Sequence, residues 1–150
     1  MLDLEHAATT PVRPEVVEAM LPHLGARFGN PSSHHTVGEG AARVLDDARR
    51  RVAAIVGMRA SDVVFTSGGT EANNLAVKGL ALGASLRRGG PVRVVTTQIE
   101  HESILASCDY LERVHGFAVS RMPVSPTGLL DPEELANVLA GNADDGDASA

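Results

Sequence analysis

Residues 62–76 read Asp62-Val63-Val64-Phe65-Thr66-Ser67-Gly68-Gly69-Thr70-Glu71-Ala72-Asn73-Asn74-Leu75-Ala76. The run from Asp62 to Thr66 is short, β-branched and aromatic, which predicts a buried strand. Ser67-Gly68-Gly69 ends it in a turn, and a helix is expected from near Thr70. In an open parallel sheet, ligands bind where the carboxyl end of a strand passes into a helix. Glycines let backbone N–H groups approach an oxyanion, the first amides of a helix have no internal partner, and a threonine hydroxyl adds a donor. A phosphate fits that description. So does a plain tight turn with Thr70 as the helix cap, and these residues alone leave both open. Neither G-x-x-x-x-G-K-[ST] nor G-x-G-x-x-G is present to sharpen the choice.

Working outward, residues 92–97 and 117–124 are the next strand candidates, the latter weakened by Arg121 and Pro123. Five helices are expected around them. The first has Pro14 at its start and apolar Val16, Val17, Met20, Leu21 and Leu24 at helical spacing. The second carries Ala41, Leu45, Ala48, Val52 and Ile55 and stops at Gly57. The third follows Thr70, the fourth carries Ile104, Leu105, Cys108 and Leu111, and Asp131-Pro132-Glu133-Glu134 caps and opens the fifth. Strands alternating with helices imply right-handed crossovers, a mainly parallel sheet and helices on both faces, an α/β fold. Three strands are few for such a domain, so the expected sheet is incomplete.

His101 follows the second predicted strand as Ser67 follows the first, which would put both on the carboxyl edge of one sheet. An imidazole there could stack on a flat heteroaromatic ring or move protons; it could equally be a surface turn histidine. Cys108 falls on an apolar stripe and reads as a buried small hydrophobe. His34 and His35 share no set of carboxylates or thiols, so no metal site is expected. Arg49-Arg50-Arg51 reads as a solvated helix face, and His23 and His115 as helix-surface residues.

Composition narrows the classes. The chain has 150 residues, 43% hydrophobic and 21% charged, an ordinary globular balance. Its 13 basic residues against 19 acidic ones argue against a nucleic-acid surface. Apolar runs fall far short of the ~20 residues that cross a bilayer, and no signal pattern opens the chain, so no membrane association is expected. One cysteine forms no internal disulfide, and a reducing compartment, the cytoplasm, is the expectation.

Leu4-Glu5-His6-Ala7-Ala8-Thr9-Thr10-Pro11, Phe28-Gly29-Asn30-Pro31-Ser32-Ser33, the stretch from Phe65 to Ala76, and Ile99-Glu100-His101 together resemble the cysteine desulfurases, class V, fold-type I enzymes that use pyridoxal 5'-phosphate. The Ser-Gly-Gly-Thr-Glu-Ala-Asn-Asn form is similar to the group serving general iron-sulfur cluster assembly. The resemblance implies part of a fold-type I PLP-transferase large domain over 14–141, an amino-terminal segment at the active-site mouth over 1–13, and an acidic flexible tail over 142–150. It implies that Gly69 and Thr70 bind the cofactor phosphate and that His101 stacks on the pyridine ring and assists proton transfer, which makes it the catalytic residue of this stretch. Glu71 and Asn74 would shape the helix start, and Ala8, Thr9 and Asn30 would lie near the mouth. Glu5-His6 departs from the more usual Asp-Asn. The implied reaction converts L-cysteine to L-alanine, with persulfide sulfur passed to an acceptor or scaffold protein, and the implied assembly is a homodimer.

The family's Schiff-base lysine, its aspartate partner of the pyridine nitrogen, its substrate-binding arginine and its catalytic cysteine have no counterpart here. Lys78, the only lysine, lies ~12 Å along the helix from Thr70 at 1.5 Å per residue and reads as a surface residue. The expectation is therefore the amino-terminal portion of a cysteine desulfurase, a truncated product or one piece of a split enzyme, that folds poorly and is inactive alone. The alternatives are a non-catalytic phosphate-ligand module and a portion of another class V enzyme, such as a selenocysteine lyase or sulfoxide lyase.

Overall fold

A computed structural model describes residues 9–141. The amino-terminal motif from Leu4 to Ala8 and the acidic stretch 142–150 lie outside the described residues. The chain forms two compact units, one up to Phe65 and one from Thr66.

In the first unit, α1 spans Pro14–Leu24 and α2 spans Thr36–Val56. Pro14 occupies the first helical turn, where its missing N–H costs nothing. Gly57 ends α2 in the left-handed region at φ 67, its N–H returned to the Ala53 carbonyl. His35 caps the other end, its Nδ1 accepting from the Gly38 N–H at 3.3 Å. A short 3-10 turn, Ala60–Asp62, follows α2. Arg59 holds it by pairing with Asp62, and that guanidinium keeps the Asp62 carboxyl below its ordinary value. Ala53 is buried in this unit. The apolar residues of α1 are not: Val16, Val17, Met20, Leu21 and Leu24 are all exposed, because no described element covers their stripe.

One sequence expectation fails here. The strand predicted over 62–66 does not form: Asp62 closes the 3-10 turn, Val63 is extended at φ −92 and ψ 120, and residues 63–66 pair with no strand among the described residues. They are not buried either, since Val64 is 64% exposed and Phe65 45%. β-branched side chains favour an extended backbone locally, but only a neighbouring strand makes it a ladder.

The second unit is α3 Gly69–Arg88, β1 Val94–Thr97, α4 Glu102–His115, β2 Val119–Met122 and α5 Pro132–Leu139. β1 and β2 pair in parallel, with Val94 opposite Val119 and Thr97 opposite Met122. α4 is the crossover between them, as a parallel pair requires. Ala81 of α3, Leu111 of α4 and Phe117 form the buried centre, with Val77, Leu82, Val92 and Val94 packed around it. Leu135 and Leu139 of α5 line a cavity with Val95, Thr96 and Thr97 of β1 and Ile104 of α4, so both helices border the short sheet. Gly116 ends α4 at φ 68 and frees Phe117 to turn into the core. Asp131 caps α5 by accepting the Glu133 N–H at 2.9 Å.

Candidate functional site

The helix beginning at Gly69 has no side chain at its cap. The cap residue is Gly68, and the Gly69, Thr70 and Glu71 amides find no hydrogen-bond acceptor among the described residues. Such a start presents partial positive charge and several aligned donors. Glu71, in the first turn, folds its carboxylate back over the turn and accepts from the Ser67 N–H at 2.7 Å and the Ser67 hydroxyl at 2.6 Å. These two donors, the hydroxyl first, hold the Glu71 carboxyl below its ordinary value. The Glu71 oxygen that accepts both bonds is thus spent on the turn that precedes the helix. Asn74 donates to the Thr70 carbonyl at 2.9 Å within the same first turns.

A side chain built at Gly68 or Gly69 would meet nothing within 4 Å. Packing among the described residues therefore gives no reason for glycine at either position. What the glycines leave is an unobstructed approach to the bare amides, flanked by a Thr70 hydroxyl that bonds to nothing among the described residues. Uncapped amides, open space and a free hydroxyl are the donor set a phosphate takes. Thr70 is inside the helix, not its cap.

His101 occupies the start of α4, where it is the cap residue at φ −57 and ψ 143. Its Nδ1 accepts the Ser103 N–H at 3.1 Å and meets the Ser103 hydroxyl at 2.8 Å. Ser103 is buried, and its Oγ also receives the Asn73 amide Nδ2 at 2.9 Å. Asn73 lies one turn beyond Thr70 on α3, so this chain of bonds ties the two helix starts together. Further along, Lys78 of α3 stands over the ring of Tyr110 in α4 at 4.5 Å. The pairs Asn73 with Ser103 and Lys78 with Tyr110 both advance along the chain, which means that α3 and α4 run side by side in the same direction. The glycine turn and the imidazole lie at the same end of that helix pair. Thr97, the last residue of β1, donates to Glu100 at 2.9 Å and shapes the short turn that delivers His101.

The remaining candidates sit elsewhere. Lys78 is engaged with Tyr110, away from the helix start. Cys108 is 1% exposed, and burial pushes its thiol up against the opposing pull of Arg121, the reverse of what a nucleophilic thiolate needs. Arg121 is itself taken by Glu112 and Asp109, which raise its pKa. Arg49, Arg50 and Arg51 pair with Asp46 and Asp47 on α2 as a solvated face does. Asn30 accepts the Ser32 N–H at 2.9 Å and so closes a local turn in the first unit. Among the described residues no His, Cys, Asp and Glu cluster suits a metal ion, and no helix is long and apolar enough to cross a membrane. No local pattern in the sequence marks Asn73 as a link to His101, and only the His-x-Ser spacing at a helix start points to Ser103.

The aminotransferase class-V family model matches residues 3–144. Proteins described as cysteine desulfurase IscS are similar to this chain. The one from Dictyoglomus turgidum is 41% identical over 136 residues, 91% of this chain and 34% of that protein. The one from Methanosarcina thermophila is 41% identical over the same share of this chain and 33% of its own length. Among solved structures, a NifS-like protein superposes with a TM-score of 0.78 at 34% identity, over 87% of this chain and 35% of that one. SspA in complex with cysteine superposes with a TM-score of 0.76 at 38% identity, over 87% and 36%. The chain thus spans about a third of the length of the curated relatives it matches. A match across nearly all of its residues shows that the chain belongs to the class V aminotransferase family.

Proposed function

We propose that this chain is the cofactor-cradling amino-terminal portion of a cysteine desulfurase, the enzyme that takes sulfur from L-cysteine and leaves L-alanine. The observation that carries the proposal is the uncapped start of α3 joined through Asn73 and Ser103 to His101. Class V aminotransferases and cysteine desulfurases depend on pyridoxal 5'-phosphate. When bound, that cofactor supplies the electron sink for the reaction. Gly69 and Thr70 would hold its phosphate through two backbone amides and the Thr70 hydroxyl. His101 would lie against its ring and move a proton there. Glu71 keeps the turn closed by holding Ser67, and Asn74 secures the first turns of the helix.

No residue described here supplies the attacking thiolate or the anchoring amine, so Cys108 and Lys78 take no part in the proposal. L-Cysteine as substrate, a homodimer as assembly, an acceptor or scaffold protein for the sulfur in iron-sulfur assembly, and a cytoplasmic setting all belong to the same reading. They are supported by the relatives' description as cysteine desulfurases and, for the last, by the single cysteine. The domain reading goes with them, with 14–141 as part of the cofactor-binding large domain.

Sulfide release from L-cysteine in the presence of pyridoxal 5'-phosphate tests the proposal. The 150-residue chain alone is expected to release none. Co-expressed with the portion of a relative that this chain does not match, it is expected to release sulfide and alanine. Release by the chain alone, or none from a folded reconstituted complex, would overturn the reading. The second result would favour a phosphate-ligand module without chemistry, which the same helix start would also serve.

A further inference from the structure

The hydrogen bonds around His101 run in one direction. A backbone N–H can only donate, so the Ser103 amide, at 3.1 Å from the imidazole Nδ1, requires a lone pair on that nitrogen. Nδ1 therefore carries no proton. The Ser103 hydroxyl, 2.8 Å from the same nitrogen, must then donate as well. Its oxygen is free to accept, and it accepts from Asn73 Nδ2 at 2.9 Å. The Ser103 carbonyl is in turn taken by the hydroxyl of Ser107, which is 1% exposed, so α4 holds Ser103 in place from below. Protons thus point one way along the series, from the Asn73 amide to the Ser103 hydroxyl to Nδ1.

We infer that Asn73 and Ser103 are positioning residues that hold neutral His101 as the tautomer protonated on Nε2, with the ring oriented by α4. This deepens the proposed function by fixing which proton the ring offers to a ligand. An imidazole whose Nδ1 is doubly engaged keeps Nε2–H as its donor and cannot present a basic lone pair from Nδ1. The inference rests on the proposed function only for the identity of the ligand; the tautomer is a property of the chain itself.

The test is the ring ¹⁵N spectrum of the histidines in the ligand-free 150-residue chain, at a pH where the rings are neutral. For His101 the expected pattern is an unprotonated Nδ1 and a protonated Nε2, with no exchange between tautomers. Ser103→Ala removes the hydroxyl donor and leaves only the backbone N–H on Nδ1, so the Nδ1 resonance should shift while the tautomer is kept, whereas Ser103→Thr keeps the wild-type spectrum. Asn73→Asp replaces the donor to Ser103 with an acceptor of the same shape. It should draw the hydroxyl off the ring and change the His101 pattern while Ser103 stays in place. A protonated Nδ1 in the wild type, or a ring spectrum unchanged in both Ser103→Ala and Asn73→Asp, overturns the inference. Because no cofactor is present, those results would leave the ligand assignment standing, and failure to bind a phosphorylated ligand would leave the tautomer standing.

Discussion

Replacing Thr70 with valine isolates one donor of the α3 helix start. The side chains have nearly the same shape and the position is exposed, so the change should alter folding stability by less than about 0.5 kcal/mol. The lost hydroxyl has no partner among the described residues, which leaves a bound ligand as the interaction it could contribute to. A hydrogen bond to a charged oxygen contributes about 1.5–3 kcal/mol, and an open, hydrated site keeps it at the lower end. About 1.4 kcal/mol corresponds to a tenfold change in affinity. Pyridoxine 5'-phosphate is the suitable probe, because it has the phosphate and the ring but no aldehyde to react with Lys78. Calorimetric titration should show binding to the wild-type chain and about tenfold weaker binding to Thr70→Val at unchanged helix content. An affinity equal within about twofold would refute the argument that this hydroxyl is held free for a phosphate.

Two further changes test the frame around the site. Leu111, 0% exposed at the centre of the second unit, should cost about 2–5 kcal/mol as Leu111→Ala, measured by urea unfolding; a loss under about 1 kcal/mol would mean that α3, α4 and Phe117 do not share one core. Glu71 has a lowered pKa when folded, so its contribution to stability is fully present above the ordinary value of 4.5 and fades as the pH falls through the lowered one. The wild type should therefore unfold at higher urea than Glu71→Gln near neutral pH, and the gap should close on acidification; a gap independent of pH would contradict the carboxylate's hold on Ser67.

Signals within a few residues of one another were legible in the sequence. Pro14 and Pro132 mark first turns, Gly57 marks a left-handed helix end, and Asp131 caps α5 as its position implied. The burial of Cys108 followed from its place on the stripe with Ile104 and Leu111. What failed depended on a distant partner. Residues 63–66 have strand chemistry, but pairing is decided by another segment, and among the described residues no strand pairs with them. The stripe of α1 has helical spacing, which fixes a face and says nothing of what covers it. The site shows the same division. Gly69, Thr70 and His101 stood out because a glycine turn and a post-strand histidine are local patterns. The link through Asn73 and Ser103 spans 30 residues and exists only once α3 and α4 lie side by side. His35 is not legible as a cap, because imidazole is an uncommon acceptor at a helix start.

The proposed function requires that the start of α3 and His101 receive the same molecule. Titrating the isotopically labelled chain with pyridoxine 5'-phosphate, while following the Gly69 and Thr70 amides and the His101 ring together, addresses this directly. The account predicts that all three signals move along one binding curve with a single Kd, and that inorganic phosphate moves the two amides but leaves the ring nearly still. Amides and ring that titrate with different constants, or a His101 ring that never responds, would contradict it.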